Sequence, residues 1–274
     1  MGWIWDPSLY AGSAEYYARG RISYPVALAD ALAAELGLDG SGRLLDVGCG
    51  PGSLTLVLAG HFREVTGIDA DPGMVAEAAR RADAAGVGHA RWMHLRAEEL
   101  PAGLGRFELV TFAQSFHWLD RPRVAATVRD MLTGDGVCAH VHAETTHGTT
   151  SPEPLPHPRP PHAEIGELVR EYLGPVRRAG QGQLPDGTPA GESEIYRAAG
   201  FTGPGRVEVP GRVVTRVADD VVAGVYSLSS SAPHLFGDHR ARFEADLRQL
   251  LHRASPDGLF SEQTSTIAVD LWRR

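Results

Sequence analysis

The chain contains no lysine: all 26 basic residues among its 274 are arginine. That excludes Schiff-base catalysis and a P-loop lysine. Cysteine is nearly as scarce. Cys49 and Cys138 form no C-x-x-C pair, so neither a disulfide framework nor a zinc site is indicated, and no metal is expected. Long apolar runs are missing as well. No stretch approaches the roughly 20 residues that cross a bilayer. The opening MGWIWDPSLY has no apolar core of signal-peptide length, and Asp6 departs from the myristoylation pattern. Net positive charge is also lacking. With 34 acidic residues the formal charge is −8, whereas a nucleic-acid binder carries a basic face. These absences predict a cytoplasmic protein that engages neither nucleic acid nor membrane. A hydrophobic content of 43% is enough for a full core.

Within that frame one stretch stands out, Leu44-Leu45-Asp46-Val47-Gly48-Cys49-Gly50-Pro51-Gly52-Ser53. It reads as a buried strand, a glycine turn and a helix start, with Ser53 as the expected helix cap. Gly48, Gly50 and Gly52 let the backbone take positive φ and let a ligand approach it closely. The dinucleotide fingerprint is G-x-G-x-x-G; here the spacing is G-x-G-x-G, with Asp46 two residues before the first glycine. An acid beside the turn repels a pyrophosphate and favours a ligand carrying an ammonium or sulfonium group.

LLDVGCGPG resembles motif I of the class I methyltransferases that use S-adenosylmethionine. The resemblance implies a Rossmann-like α/β fold: a seven-stranded sheet with helices on both faces and an antiparallel last strand. It also implies S-adenosyl-L-methionine as cofactor, S-adenosyl-L-homocysteine as product and a small molecule as partner. Asp46, Gly48, Cys49, Gly50 and Gly52 would shape the methionine pocket.

The arm before the first strand carries YYARGRISYP. In the family such a segment folds over the cofactor as a lid. Tyr16, Tyr17 and Arg21 are then candidates to meet the cofactor's carboxylate or the substrate; the alternative is an aromatic cluster that staples the arm to the core. Pro25 opens a helical pattern closed by Gly37. The second strand, Glu64 to Asp69, places Asp69, with Ala70 beside it, about 20 residues beyond the turn, where an acid meets ribose hydroxyls. Asp71, directly before Pro72, is the better helix cap. Met74 either meets the adenine ring or fills the core.

The third strand, Ala90 to Leu95, leads into RAEELP. The family's loop here is D-A-E-x-L-P and edges the adenine. Arg96 replaces the leading acid, leaving Ala97 and Glu98 as candidate contacts. The fourth strand, Phe107 to Ala113, ends in Gln114-Ser115-Phe116-His117-Trp118-Leu119-Asp120. The S-F-H-W-L-D run resembles the type 11 small-molecule branch, which includes enzymes that esterify small carboxylic acids. Ala113, Gln114 and Phe116 would flank the reacting centre. His117 is the candidate general base or an orienting residue, and Trp118 is expected under the next helix.

After a helix Arg121 to Leu132, a turn at 133–136 and a fifth strand, Val137 to Val141, the composition shifts to PEPLPHPRPP, which holds no regular structure. His140, His142, His147, His157 and His162 crowd here without metal-ligand spacing and read as solvated or packing residues. Helical patterns at 163–173 and 192–199 follow. A strand in 205–215, two helices (219–228 and 238–251) and a final strand, Ser265 to Trp272, complete the pattern. The expected organisation is one methyltransferase domain, 1–274: a lid arm (1–40), a cofactor-binding core (41–142), a substrate-cap insertion (143–204) and C-terminal strands and helices (205–274). The rival readings are a protein that binds the cofactor for cyclase-like chemistry and a nicotinamide-dependent oxidoreductase.

Overall fold

The computed structural model describes residues 6–151, 153–179, 182–184 and 191–274. The first five residues of the expected arm, and positions 152, 180–181 and 185–190 of the expected cap, lie outside the described residues.

Two helices, α1 (Ala14–Gly20) and α2 (Val26–Leu36), precede the first strand. The core then alternates: β1 (Arg43–Val47), α3 (Thr55–Leu58), β2 (Glu64–Asp69), α4 (Pro72–Ala84), β3 (Ala90–His94), β4 (Phe107–Ala113), α5 (Arg121–Met131) and β5 (Leu132–His142). Next come α6 (His162–Leu173), the short strands β6 (Arg177–Ala179) and β7 (Gly182–Leu184), α7 (Glu192–Ala198) and β8 (Thr202–Val209). The chain closes with β9 (Val213–Val217), α8 (Ala218–Tyr226), α9 (Arg240–Ala254), β10 (Leu259–Gln263) and β11 (Ile267–Arg273).

The main sheet has seven strands in the order β3-β2-β1-β4-β5-β11-β8. β1 to β5 run parallel, and β11 is antiparallel to both β5 and β8. The order reverses between β1 and β4, so a crevice opens beyond their carboxyl ends.

Strand alternation builds the core. Leu44 faces one side with Leu28, Leu32, Leu58 and Val65, and Leu45 faces the other with Val110, Phe112 and Val128. A buried leucine of this kind contributes about 2 kcal/mol. A third apolar cluster joins Ile165 of α6 to Tyr226 of α8, Phe243 and Leu247 of α9 and Phe260 of β10. The segment expected as a cap is thereby divided. α6 joins this third cluster, whereas α7 packs on α5 and sends Tyr196 into the sheet core.

Several local expectations change. Ser53 caps nothing: α3 has only 4 residues, starts at Thr55 and follows Leu54 without a side-chain cap. Residues 133–136 form a register shift within β5 rather than a separate turn. The expected strand at 205–215 is two strands, β8 in the main sheet and β9 paired with β10 in a separate ribbon. β10 has no apolar alternation to announce it, because its buried Glu262 pairs with Arg216 of β9.

Candidate active site

The crevice beyond β1, β2 and β4 is a cleft open to solvent at its mouth, about 970 Å³ with the solvent at the opening counted in. The arm, from Tyr10 through Tyr24, and Thr145 form its roof.

The floor is the glycine turn. The amides of Gly48 and Cys49 both donate to the carbonyl of Ile68, at 2.9 and 3.0 Å, tying the turn to the end of β2. Gly48 has φ +69°, and a Cβ there would lie 2.5 Å from that of Ser115. Gly50 also has positive φ, but a Cβ there would meet nothing within 4 Å. Its side-chain position opens towards the cleft, leaving room for a ligand against the backbone. Gly52 does not reach the cleft wall; it lies beneath the Trp92 ring.

Two carboxyls sit in the floor. Asp46 is buried and accepts from Thr111 Oγ1 at 2.7 Å and from Thr55 Oγ1 at 2.5 Å. Burial raises its pKa, and the threonine hydrogen bonds partly offset that rise. Asp69 ends β2 and accepts the Gly50 amide at 2.8 Å and the Asp71 amide at 2.9 Å. Burial pushes its carboxyl up to about 6. Among the described residues neither acid has a basic ion-pair partner, so the floor is electronegative and fits a cationic ligand. Asp71 caps α4, accepting from Gly73 and Met74 at 2.8 and 3.0 Å.

The other walls come from both flanks. Ala70, Met74, Leu95, Arg96 and Glu98 line one end. Glu98 is not a solvated surface acid; it accepts the Asp120 amide at 3.0 Å and lies 3.6 Å from Arg96. Ala97, expected beside it, is buried away from the wall.

Ala113 and Gln114 line the opposite end with Ser115. Gln114 adopts φ +59° and donates from Nε2 to the carbonyl of Ala143 at 2.5 Å. A non-glycine residue held in that region at a cleft is a mark of functional constraint.

Residues 116–118 form a 3-10 turn. Its period of three puts Ser115 and Trp118 on one side and turns Phe116 and His117 away. Phe116, expected at the reacting centre, is instead core, stacked on Tyr196 at 4.9 Å. His117, the candidate base or orienting residue, does not line the cleft. Burial lowers its imidazole to about 4; Glu192 opposes that shift and Arg121 adds to it. Trp118, expected under the next helix, lines the cleft with its ring edge-on to Tyr10 at 5.7 Å.

On the roof Tyr17 and Arg21 line the cleft, as do Tyr10 and Tyr24. The Arg21 guanidinium lies 4.5 Å over the Tyr17 ring and donates to Ser227 Oγ and the Ser227 carbonyl, at 2.8 and 3.1 Å. It forms no ion pair among the described residues, leaving a positioned cation free for an anion. Tyr16 is not part of this wall. It packs on Tyr226 at 5.1 Å and its hydroxyl accepts from Arg240, which makes it a staple of the arm.

Tyr10, Tyr24, Trp118 and Thr145 are among the lining residues that the sequence did not place at the site. The first two had a signal in the aromatic run of the arm, and Trp118 in the period of three. Thr145, in a threonine-rich segment, had none. Of the crowded histidines, His140 bonds Tyr196, His142 bonds Asp270 and His162 bonds Glu262.

Residues 44–136 match the family model described as "Methyltransferase domain". An uncharacterized methyltransferase of Mycobacterium tuberculosis is 33% identical over 175 residues, and the match spans 63% of this chain and 63% of that protein's length. A trans-aconitate 2-methyltransferase of a Mycobacterium species is 38% identical over 90 residues, 32% of each chain. Among solved structures, a methyltransferase of Thiobacillus denitrificans in complex with S-adenosyl-L-homocysteine superposes with a TM-score of 0.50 at 15% identity. That match covers 96% of this chain and 98% of the other, a likeness of fold. Strand order, glycine turn and matched segment agree: residues 44–136 are similar to a methyltransferase domain, set in the sheet order of a Rossmann-like methyltransferase fold.

Proposed function

We propose that this chain transfers the methyl group of S-adenosylmethionine to a small organic acceptor held in the cleft, and that the acceptor is a small carboxylic acid. The observation that carries the first part is the electronegative floor beneath Gly50, where open space borders bare backbone and Asp69 stands within reach. When bound, the cofactor supplies a methyl carbon activated by a cationic sulfur. The chain's task is then to hold the acceptor in line and exclude water. In this reading Asp69 accepts from the ribose hydroxyls, Arg21 meets the carboxylate of the methionine tail, and the Arg96–Glu98 end holds the adenine.

Support for a carboxylic acid comes from proton chemistry. No histidine lines the cleft among the described residues. Burial raises the Cys49 thiol and the phenols of Tyr10 and Tyr24, and Asp46 already serves two threonines. With Asp69 and the Arg96–Glu98 end engaged by the cofactor, an alcohol or amine acceptor would find no ready base, whereas a carboxylate is ionised at neutral pH before it arrives. The relative named for trans-aconitate methylation points the same way.

The test has two parts. Calorimetry with S-adenosyl-L-homocysteine and with NADH is expected to show binding of the first alone. Incubation with S-adenosylmethionine and panels of acids, alcohols and amines is expected to release S-adenosyl-L-homocysteine and methyl ester with acids. Tight cofactor binding without turnover on any panel would remove the transfer reading. Turnover confined to alcohols or amines would remove the carboxylate.

A further inference from the structure

Arg216 lies outside the cleft on β9, with its side chain only 8% exposed, paired at 3.2 Å to the fully buried Glu262 of β10. Its Nη2 donates to the carbonyls of Gly20 and Asp220, at 2.5 and 2.8 Å. Its Nη1 reaches the carbonyl of Thr146 at 3.4 Å. Glu262 in turn accepts from the Gly148 amide at 2.8 Å and contacts His162 Nε2 at 2.7 Å. One buried pair therefore gathers the end of the arm, the segment after β5, the start of α6 and α8.

The carbonyls that Arg216 holds are sequence neighbours of cleft residues. Gly20 precedes Arg21, and Thr146 follows Thr145. Those two strands of chain are also bonded directly, the Ile22 amide donating to the Thr145 carbonyl at 2.7 Å. Ser227, the hydrogen-bond partner of Arg21, belongs to the same unit: its Oγ donates to the Gly224 carbonyl at 2.6 Å. Space is reserved for the guanidinium. A Cβ on Gly20 would lie 2.2 Å from the Gly224 nitrogen, and one on Gly224 would lie 2.9 Å from Arg216 Nη2.

We propose that Arg216 is a positioning residue for Arg21: through Gly20, Thr146 and the α1–α8 seam it fixes the roof cation that the cofactor's anionic tail meets. The assignment of that tail rests on the function proposed above; the positioning does not. A buried charge cannot lose its partner cheaply, so the informative variant removes both, Arg216→Met with Glu262→Gln. Its apparent affinity for S-adenosyl-L-homocysteine is expected to fall about tenfold, as for the loss of one charge-assisted contact, with kcat at saturating cofactor within about threefold. Arg216→Lys, which keeps charge and donors, is expected to fall between parent and double variant. Gly224→Ala, which keeps the ion pair but crowds the guanidinium, is expected to resemble the double variant and serves where that variant fails to fold.

Hydrogen exchange supplies a readout independent of any ligand. The Ile22 amide is expected to lose protection in the double variant and in Gly224→Ala. Unchanged protection at Ile22 in a folded variant overturns the proposal, as does unchanged S-adenosyl-L-homocysteine affinity where the parent binds it. A parent that does not bind S-adenosyl-L-homocysteine removes the cofactor reading alone, and the Ile22 measurement still decides the positioning.

Discussion

The Gly50 amide donates to the Asp69 carboxylate at 2.8 Å, so the glycine turn after β1 and the acid at the end of β2 form one unit. A ligand that bonds Asp69 therefore also rests on the turn. Substitution of either residue disturbs the other, and the two should not behave as independent contributors.

Asp69→Ala removes the acceptor of the Gly50 amide and the acceptor proposed for the ribose. A hydrogen bond to a charged group contributes roughly 1.5–3 kcal/mol, so S-adenosyl-L-homocysteine affinity is expected to drop by about 10- to 100-fold. Isothermal calorimetry measures it directly. Retention of parental affinity would speak against the ribose role.

The Asp69 carboxyl sits at about 6, raised by burial from the ordinary aspartate value. Its ionised form is the better acceptor for hydroxyl donors. Cofactor affinity is thus expected to be level above neutrality and to fall as pH drops through about 6. The stability consequence has the opposite sense. The folded state holds its proton more tightly than the unfolded chain does, so the cost of ionising Asp69 is felt above pH 6 and relieved on acidification. A pH series of calorimetric titrations on the parent and on Asp69→Ala separates the two effects; an affinity that stays level to pH 5 contradicts the first.

Glu262 has the reverse shift. Burial alone would raise its pKa, but the hydrogen bonds from His162 and Gly148 and the charges of His162 and Arg216 outweigh it and hold the carboxyl at about 2. Its contribution is present above the unfolded glutamate value near 4.5 and is lost as pH falls towards 2. The magnitude is on the order of 3 kcal/mol. Denaturant melts are expected to show a steep loss of stability between pH 4.5 and 2 that Glu262→Gln flattens.

His117 lies off the cleft wall, and burial lowers its imidazole to about 4, so it is neutral under ordinary conditions. His117→Gln is expected to keep kcat within about threefold of the parent, far from the 100-fold or greater loss that removal of a general base causes. A loss of that larger size, with the melting temperature unchanged, would return His117 to the catalytic step.

Gly50→Val fills the open space beside the turn's backbone and adds strain at a positive φ. Cofactor binding is expected to disappear while thermal stability falls by only a few degrees, since the new side chain enters open cleft rather than packed core. Gly48→Val meets Ser115 and is expected to destabilise the fold as well. Melting curves with and without S-adenosyl-L-homocysteine distinguish the two.

The primary sequence determined the parallel core and its floor. Apolar strands, glycine spacing and the acid one strand over are local patterns, and local backbone rules are enough to place Gly48, Gly50 and Asp69 at one sheet edge. Tertiary structure decided which residues of the expected lid arm and strand-end loops face the cleft. Phe116, His117 and Trp118 are consecutive, and only the packing of a 3-10 turn against Tyr196 determines which of them faces the cleft. Arg216 and Glu262 lie 46 residues apart, and their burial depends on each other and on Gly20 near the start of the chain. A charge in a strand pattern reads as exposed until its partner is known. That partner comes from elsewhere in the chain, which is why β10 and the latch behind Arg21 became visible only in three dimensions.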